Sequence, residues 1–240
     1  MKVRGSLVKL IATVCLTGVL LTSPVFSDTI AVIGTGDVAR ALGPEFALQG
    51  HTIVYGSRNP ARDEVRALLG ETGNSASATT PAESVVGADI VVMAVPGTVV
   101  EAVTASLGDL SGKIIIDPTN AVDRSGDRLV LLYESSAAEI IQATAPDAHV
   151  VKAFNTLNWR TMVDPDSSGG PVSIPLVGDS ADAKAKVAEL VAGMGLEPID
   201  LGPLAYARHI EGMLLLWIHN RYAGGDGPAF DYHLRKVDPN

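Results

Sequence analysis

Apolar and polar positions alternate along this chain in blocks of two kinds. Short continuous apolar runs, at residues 30–33, 52–55, 88–95, 113–117, 149–154, 174–178 and 196–201, read as strands buried on both faces. Between them lie stretches with apolar residues spaced by three and four, the helical period, at residues 37–49, 61–69, 99–107, 129–143 and 180–194. A short strand near residues 75–78 and a helical turn opening at Pro81 complete the first half. Strand and helix take turns throughout, so the expected class is α/β, a Rossmann-type doubly wound, mostly parallel sheet. Gly43-Pro44 falls inside the first helix and predicts a bend on its outer face, since Phe46, Ala47 and Leu48 resume the pattern. Residues 203–222 predict one further helix. Its run Met213-Leu214-Leu215-Leu216-Trp217-Ile218 is apolar enough to be buried nearly all round, in a core or against a partner chain.

The first strand runs straight into Gly34-Thr35-Gly36-Asp37-Val38-Ala39, the G-x-G-x-x-G/A spacing, and a second strand follows the helix. Gly34 permits the tight turn, Gly36 lets backbone approach a pyrophosphate, and Ala39 keeps helix and strand close. The first-turn N–H groups and the helix dipole then favour an anion. At the end of the second strand an NAD site would carry Asp or Glu, but here stands Gly56-Ser57-Arg58, with Arg62 one helical turn on. Ser57 offers a hydroxyl, and the two guanidiniums offer charge and paired donors, which suits a ribose 2′-phosphate. NADP is the expected cofactor.

Composition adds three constraints. With 47% hydrophobic and 19% charged residues the chain is globular, and its net charge of −9 argues against nucleic acid as a partner. Lys2, Arg4 and Lys9 followed by the apolar residues 10–21 form a secretory leader pattern over residues 1–27. The mature chain is then expected to begin near Asp28, exported to the periplasm or secreted. If the leader is uncleaved it anchors the protein to a membrane; if the start is misassigned the protein is cytoplasmic. Losing those three cations takes the net charge from −9 to −12, and Cys15, the sole cysteine, leaves with them. The expected organisation is therefore residues 1–27 leader, 28–202 NADP-binding domain, and 203–240 helix and tail.

His51, His149, His209, His219 and His233 are scattered, in no metal-ligand spacing, so no metal site is expected. Ser57 lacks the nucleophile-elbow context of a hydrolase. Hydride transfer between two bound cofactors needs positioning more than acid–base groups, and the glycine turns, Val95-Pro96 and residues 153–156 suit it.

The runs IAVIGTGDVARAL, VYGSRNP, ADIVVMAVP and VVKAFNT, with the C-terminal GPLAYARHIEGMLLLWIHNRY, resemble the NADP-binding family that includes NADPH-dependent reductases of the deazaflavin coenzyme F420. The resemblance implies Thr35, Asp37 and Val38 at the pyrophosphate, and Ser57, Arg58 and Arg62 at the 2′-phosphate. It further implies Val95 and Pro96 at the ribose, with Ala153 and Asn155 at the nicotinamide end. A hydride acceptor, deazaflavin or flavin-like, would lie over the nicotinamide between Pro96, Asn120, Asn155 and the last helix, with Asn155 the candidate catalytic residue. Gly97-Thr98 departs from relatives that carry a bulky aromatic there. Other readings are a non-catalytic NADP-sensing module and an NADPH-dependent metal-chelate reductase, and the apolar last helix predicts a homodimer.

Overall fold

The computed structural model describes residues 27–125, 128–222 and 229–237. The expected leader, apart from Ser27, and Cys15 within it lie outside them. Among the described residues no helix is long and apolar enough to cross a membrane.

The first half is β1 (Thr29–Ile33), α1 (Asp37–Leu48), β2 (Thr52–Gly56), α2 (Asp63–Thr72), β3 (Ser77–Thr79), α3 (Pro81–Ser84) and β4 (Ile90–Val92). A 3-10 turn, Gly97–Val99, then leads into α4 (Val100–Ser106) and β5 (Ile114–Asp117). The antiparallel pair β6 (Val122–Ser125) and β7 (Arg128–Leu131) follows, then α5 (Ala137–Thr144), β8 (His149–Lys152) and α6 (Trp159–Val163). The chain continues through β9 (Ser173–Gly178), α7 (Ala181–Gly193), β10 (Glu197–Asp200) and α8 (Ala207–Tyr222).

The main sheet is ordered β10-β9-β8-β5-β4-β1-β2-β3. It is parallel except where β9 meets β8, with Val151 opposite Gly178 and Lys152 opposite Val177. Strand order reverses between β1 and β4, so the carboxyl ends of these two strands form the crevice where such sheets take ligands.

Both faces are covered, as the continuous apolar strands require. Ile30, Val32, Ile116, Val151 and Ile174 face the layer that holds Leu42 and Phe46 of α1, Met162 of α6 and Val187 of α7. Ala31, Val91, Met93, Ile115 and Val150 face the layer of α4, α5 and α8. Each large side chain buried in this way contributes roughly 1.5–3 kcal/mol.

α1 runs unbroken through Pro44. Gly43 is buried on its inner face, where a Cβ would lie 1.9 Å from the Tyr55 hydroxyl. Helix and strand approach this closely only because position 43 has no side chain.

Two expectations are corrected. Residues 129–143 are not one helix: Arg128–Leu131 pairs with Val122–Ser125 as a hairpin, and helix begins only at Ala137. Leu129, Val130 and Leu131 alternate between half-buried and exposed, the strand period, and an apolar run that short fits either template. Within one chain the last helix is not buried all round, which excludes the core alternative and leaves the partner-chain one. Ala207, Ile210, Glu211, Leu214 and Trp217 form its buried stripe, while Leu216 is 62% exposed. It also starts later than residue 203, after a 3-10 turn at Leu204–Tyr206.

Candidate cofactor site

The glycine turn forms as its spacing requires. Gly34 has φ +116°, and a Cβ there would meet the Ala94 carbonyl oxygen at 2.2 Å, so neither the conformation nor the space admits another residue. Its N–H donates to Gly56 O at 2.9 Å, locking the turn to the end of β2. Gly36 is the N-cap of α1 and brings no capping side chain, so the first-turn amides of Asp37, Val38 and Ala39 have no intrahelical acceptor. Open space surrounds Gly36, with no atom within 4 Å of where a Cβ would be. An uncapped helix N-terminus facing open space is built for an anion. The Asp37 side chain is exposed, and its backbone N–H is the group that faces this role.

Ser57, Arg58 and Arg62 follow from the end of β2. Ser57 is buried, its N–H donates to Thr79 O, and its Oγ accepts from Asn59 N–H at 3.2 Å. The hydroxyl proton is thus left for another acceptor. Arg58 is exposed and makes no ion pair among the described residues. Arg62 donates to Thr35 Oγ1 at 3.1 Å, which joins the second basic residue to the glycine turn. Two cations and a hydroxyl therefore border one end of the crevice, with no carboxylate neutralising them.

A crevice of about 230 Å³ continues from there, lined by Gly36, Asp37 and Val38, by Ala94, Val95 and Pro96, and by Pro118 and Thr119. Pro96 is exposed and Val95 half-buried at the end of β4. Gly97 packs so tightly that a Cβ would lie 2.4 Å from the Asn120 carbonyl. This contact explains why no larger residue stands at 97. Tyr133 donates to Gly97 O at 3.4 Å, and burial, with the charges of Glu101 and Glu211, pushes its phenol up from the usual range.

At the far end β8 runs into Ala153-Phe154-Asn155. Ala153 N–H still donates to Asp117 O. Phe154 then adopts φ +64°, a backbone region that bulky residues avoid, and its ring packs edge-on against Phe46 at 6.2 Å. The core holds the ring and the backbone turns, which brings Asn155 to the carboxyl edge. Thr119 Oγ1, Asn155 Oδ1 and Thr156 Oγ1 are buried there without a hydrogen-bond partner. Buried polar atoms are normally paired, so three orphans on adjoining segments leave unmet hydrogen-bonding capacity at this edge.

All the cofactor-site residues expected from sequence thus border the carboxyl edge: Gly34 to Val38, Ser57, Arg58 and Arg62 at one end, Val95 and Pro96 midway, Ala153 and Asn155 at the other. Sequence reading missed a buried cluster beneath that far end. Lys152 Nζ lies 2.8 Å from Asp117 Oδ2 and 2.7 Å from Glu211 Oε1, all three residues almost wholly buried. The available signal was a charge closing each of two apolar strands, IIID and VVK. Among the described residues no group of three His, Cys, Asp or Glu could hold a metal ion.

Residues 29–121 match the family model described as NADP oxidoreductase, coenzyme F420-dependent. The F420-dependent NADP reductase of Methanothermobacter thermautotrophicus is 31% identical over 206 residues, covering 79% of this chain and 88% of that protein. The rat (Rattus norvegicus) metalloreductase STEAP3 is 31% identical over 199 residues, 82% of this chain, but the match spans only 38% of that longer protein. A crystal structure of a candidate F420-dependent NADP-reductase from Arthrobacter sp. FB24 superposes with a TM-score of 0.77 at 36% identity, covering 86% of this chain and 99% of that one. A relative at this identity, matched over nearly its full length, fixes the assignment: the chain belongs to the coenzyme F420-dependent NADP oxidoreductase family.

Proposed function

We propose that this chain binds NADP(H) along the carboxyl edge of the sheet and transfers hydride between the nicotinamide and a deazaflavin, coenzyme F420, or a flavin-like acceptor. The observation that carries the reading is the charge and hydrogen-bond asymmetry of the crevice. Unneutralised Arg58 and Arg62 stand at one end, and orphaned Thr119, Asn155 and Thr156 at the other. That order matches a dinucleotide with a 2′-phosphate at one end and a carboxamide-bearing ring at the other. The uncapped α1 N-terminus lies between them for the pyrophosphate.

The bound nicotinamide supplies the hydride chemistry, and the protein's part is placement. Asn155 orients the ring end, the apolar residues Val95 and Pro96 keep water from one side, and Thr119 and Thr156 offer hydroxyls to a polar substituent. In this reading α8 closes the acceptor side, and its exposed residues join a second copy of the chain as a homodimer. Residues 1–27 act as an export leader.

The similarity to a metalloreductase supports a second reading, in which a ferric or cupric chelate takes the electrons. Steady-state NADPH oxidation by purified protein with coenzyme F420, flavin mononucleotide and ferric chelate as acceptors separates the two. The first reading expects F420 or flavin turnover well above that with the chelate. Chelate turnover alone favours the second, and tight NADPH binding with no turnover favours a sensing module.

A further inference from the structure

The buried cluster under the nicotinamide end contains more ionisable groups than a stable core requires. Asp117 and Lys152 close β5 and β8 and lie opposite one another in register. Both side chains enter the layer of α5 and α8, where Glu211 of α8 meets them. Lys152 spends its three ammonium protons on Asp117 Oδ2, Thr119 O and Glu211 Oε1, at 2.8, 2.7 and 2.7 Å. Asp117 Oδ1 accepts from Thr119 N–H at 2.9 Å, and Glu211 Oε1 also accepts from Ala137 N–H, the first residue of α5, at 2.9 Å. One ammonium therefore fixes the end of β5, the loop after it, α8 and, through Glu211, the start of α5.

Such a cluster is not explained by stability. Two carboxyl groups and one ammonium are held away from water, where burial pushes the Glu211 carboxyl up from the usual range, and apolar residues of similar volume commonly do as well or better there. Removal of a partner, in contrast, disrupts whatever the cluster holds in place.

What it holds is the Thr119–Asn120 segment. Thr119 is gripped at both its N–H and its carbonyl, and the next residue, Asn120, is bonded to Asn155. A second strand of the same linkage arrives from α8, where Ile210 O accepts from Asn155 Nδ2 at 3.3 Å. Adjacent residues of one helix thus reach the Asn155 amide directly and Asn120 by way of Lys152 and Thr119.

We infer that Glu211 is a positioning residue for hydride transfer: through Lys152 and Thr119 it sets the Asn120–Asn155 pair against the nicotinamide, so that α8 determines the geometry of the reacting end without touching the cofactor. This rests on the placement of NADP(H) proposed above.

The test compares Glu211→Leu, Glu211→Asp and Glu211→Gln in the full chain. Gln keeps an oxygen in reach of Lys152 and Ala137, Asp keeps the charge but falls one methylene short, and Leu removes both. Saturated hydride-transfer rate should fall about tenfold to a hundredfold in the Leu variant and about threefold to tenfold in Asp, with Gln within about threefold of wild type. The Kd for NADPH should stay within about threefold in all of them, because the phosphate contacts are remote. Bound-NADPH nicotinamide fluorescence needs no acceptor. Its enhancement over free NADPH should drop in Leu and Asp and persist in Gln. Wild-type rate per bound cofactor and unchanged emission in Leu, or in Asp if Leu does not fold, would overturn the inference whatever happens to Tm. Equal losses in Gln and Leu would also overturn it. Failure of the wild-type chain to bind NADPH would instead remove the cofactor placement itself, and with it this role for Glu211.

Discussion

Asn120 and Asn155 exchange hydrogen bonds between the loops that follow β5 and β8. Asn120 Nδ2 donates to Asn155 O, and Asn155 Nδ2 donates to Asn120 Oδ1, each at 3.0 Å. The reciprocal pair leaves Asn155 Oδ1 buried and unsatisfied. Replacing Asn155 by Ala should therefore lower the hydride-transfer rate while leaving the Kd for NADP nearly unchanged, measured by single-turnover NADPH oxidation beside a binding titration. A variant that loses cofactor affinity and thermal stability together, with turnover per bound NADP intact, would reduce Asn155 to a loop tie.

Arg58 is exposed and makes no ion pair among the described residues, so its removal breaks no salt bridge there. Arg58→Ala should weaken NADPH binding about tenfold to a hundredfold, the loss of a charge-assisted hydrogen bond. NADH, without the phosphate, should bind almost as before. Equal losses for both nucleotides would detach Ser57 and Arg58 from the 2′-phosphate.

Gly43 and Tyr55 form a steric pair. Thr72 gives its hydroxyl proton to Leu68 O, so the Tyr55 hydroxyl 2.7 Å away donates to Thr72. Gly43→Ala would drive a methyl group into that hydroxyl and should cost about 1–3 kcal/mol in urea unfolding, the usual range for an overpacked core. In a Tyr55→Phe background the oxygen is gone but the ring carbon Cζ still lies 2.7 Å from that methyl, so the same substitution should cost only somewhat less. Additive losses would show that the ring, not the hydroxyl, is the obstacle.

His51 is buried, and its Nδ1 lies 3.1 Å both from Asp28 N–H, which donates to the neutral ring, and from Asp28 Oδ2, to which a protonated ring would donate. Burial lowers its pKa below the ordinary 6.5; nearby Asp28 opposes that shift and Lys186 adds to it. A lowered folded-state value means that the unfolded chain binds the extra proton first as pH falls through 6.5. Stability should thus be level above that pH and decline below it. Tm profiles from pH 5 to 8, a range of about one and a half units either side of the free imidazole value, should lose that component in His51→Gln. An identical slope in the variant would assign the decline to other groups.

The leader reading expects mature protein to begin near Asp28. N-terminal sequencing of material from the exported fraction checks it, and an intact Met1 in a soluble fraction would count against cleavage.

Much of the fold was legible because its cause is local. The βαβ unit of residues 29–56 combines apolar strands, two glycines with distinct tasks and a helix in one stretch, and the structure has it throughout. The candidate cofactor residues stand out in the sequence for the same reason, since most lie in or just after a strand end. What sequence concealed depends on distant partners. β7 was read as the start of a helix because Leu129 to Leu132 is too short to show a period. Nothing in the sequence singles out Glu211 within its apolar helix. Its role depends on Lys152, 59 residues earlier, and no spacing rule joins the two. Phe154 was equally opaque, because its packing partner Phe46 lies 108 residues earlier.

The reversal of β9 against β8 has a consequence for synthesis. Because β9 and then β10 run opposite to the strands before them, α8 begins near the amino edge and travels toward the carboxyl edge, reaching Lys152 at Glu211. A chain leaving the ribosome can form the glycine turn and the Ser57-Arg58 end after its first quarter. In the proposed placement the nicotinamide end has no finished geometry until residue 211 has emerged and docked. The two halves of one cofactor site would then mature far apart in time, with the phosphate-holding end in place well before the end where hydride moves.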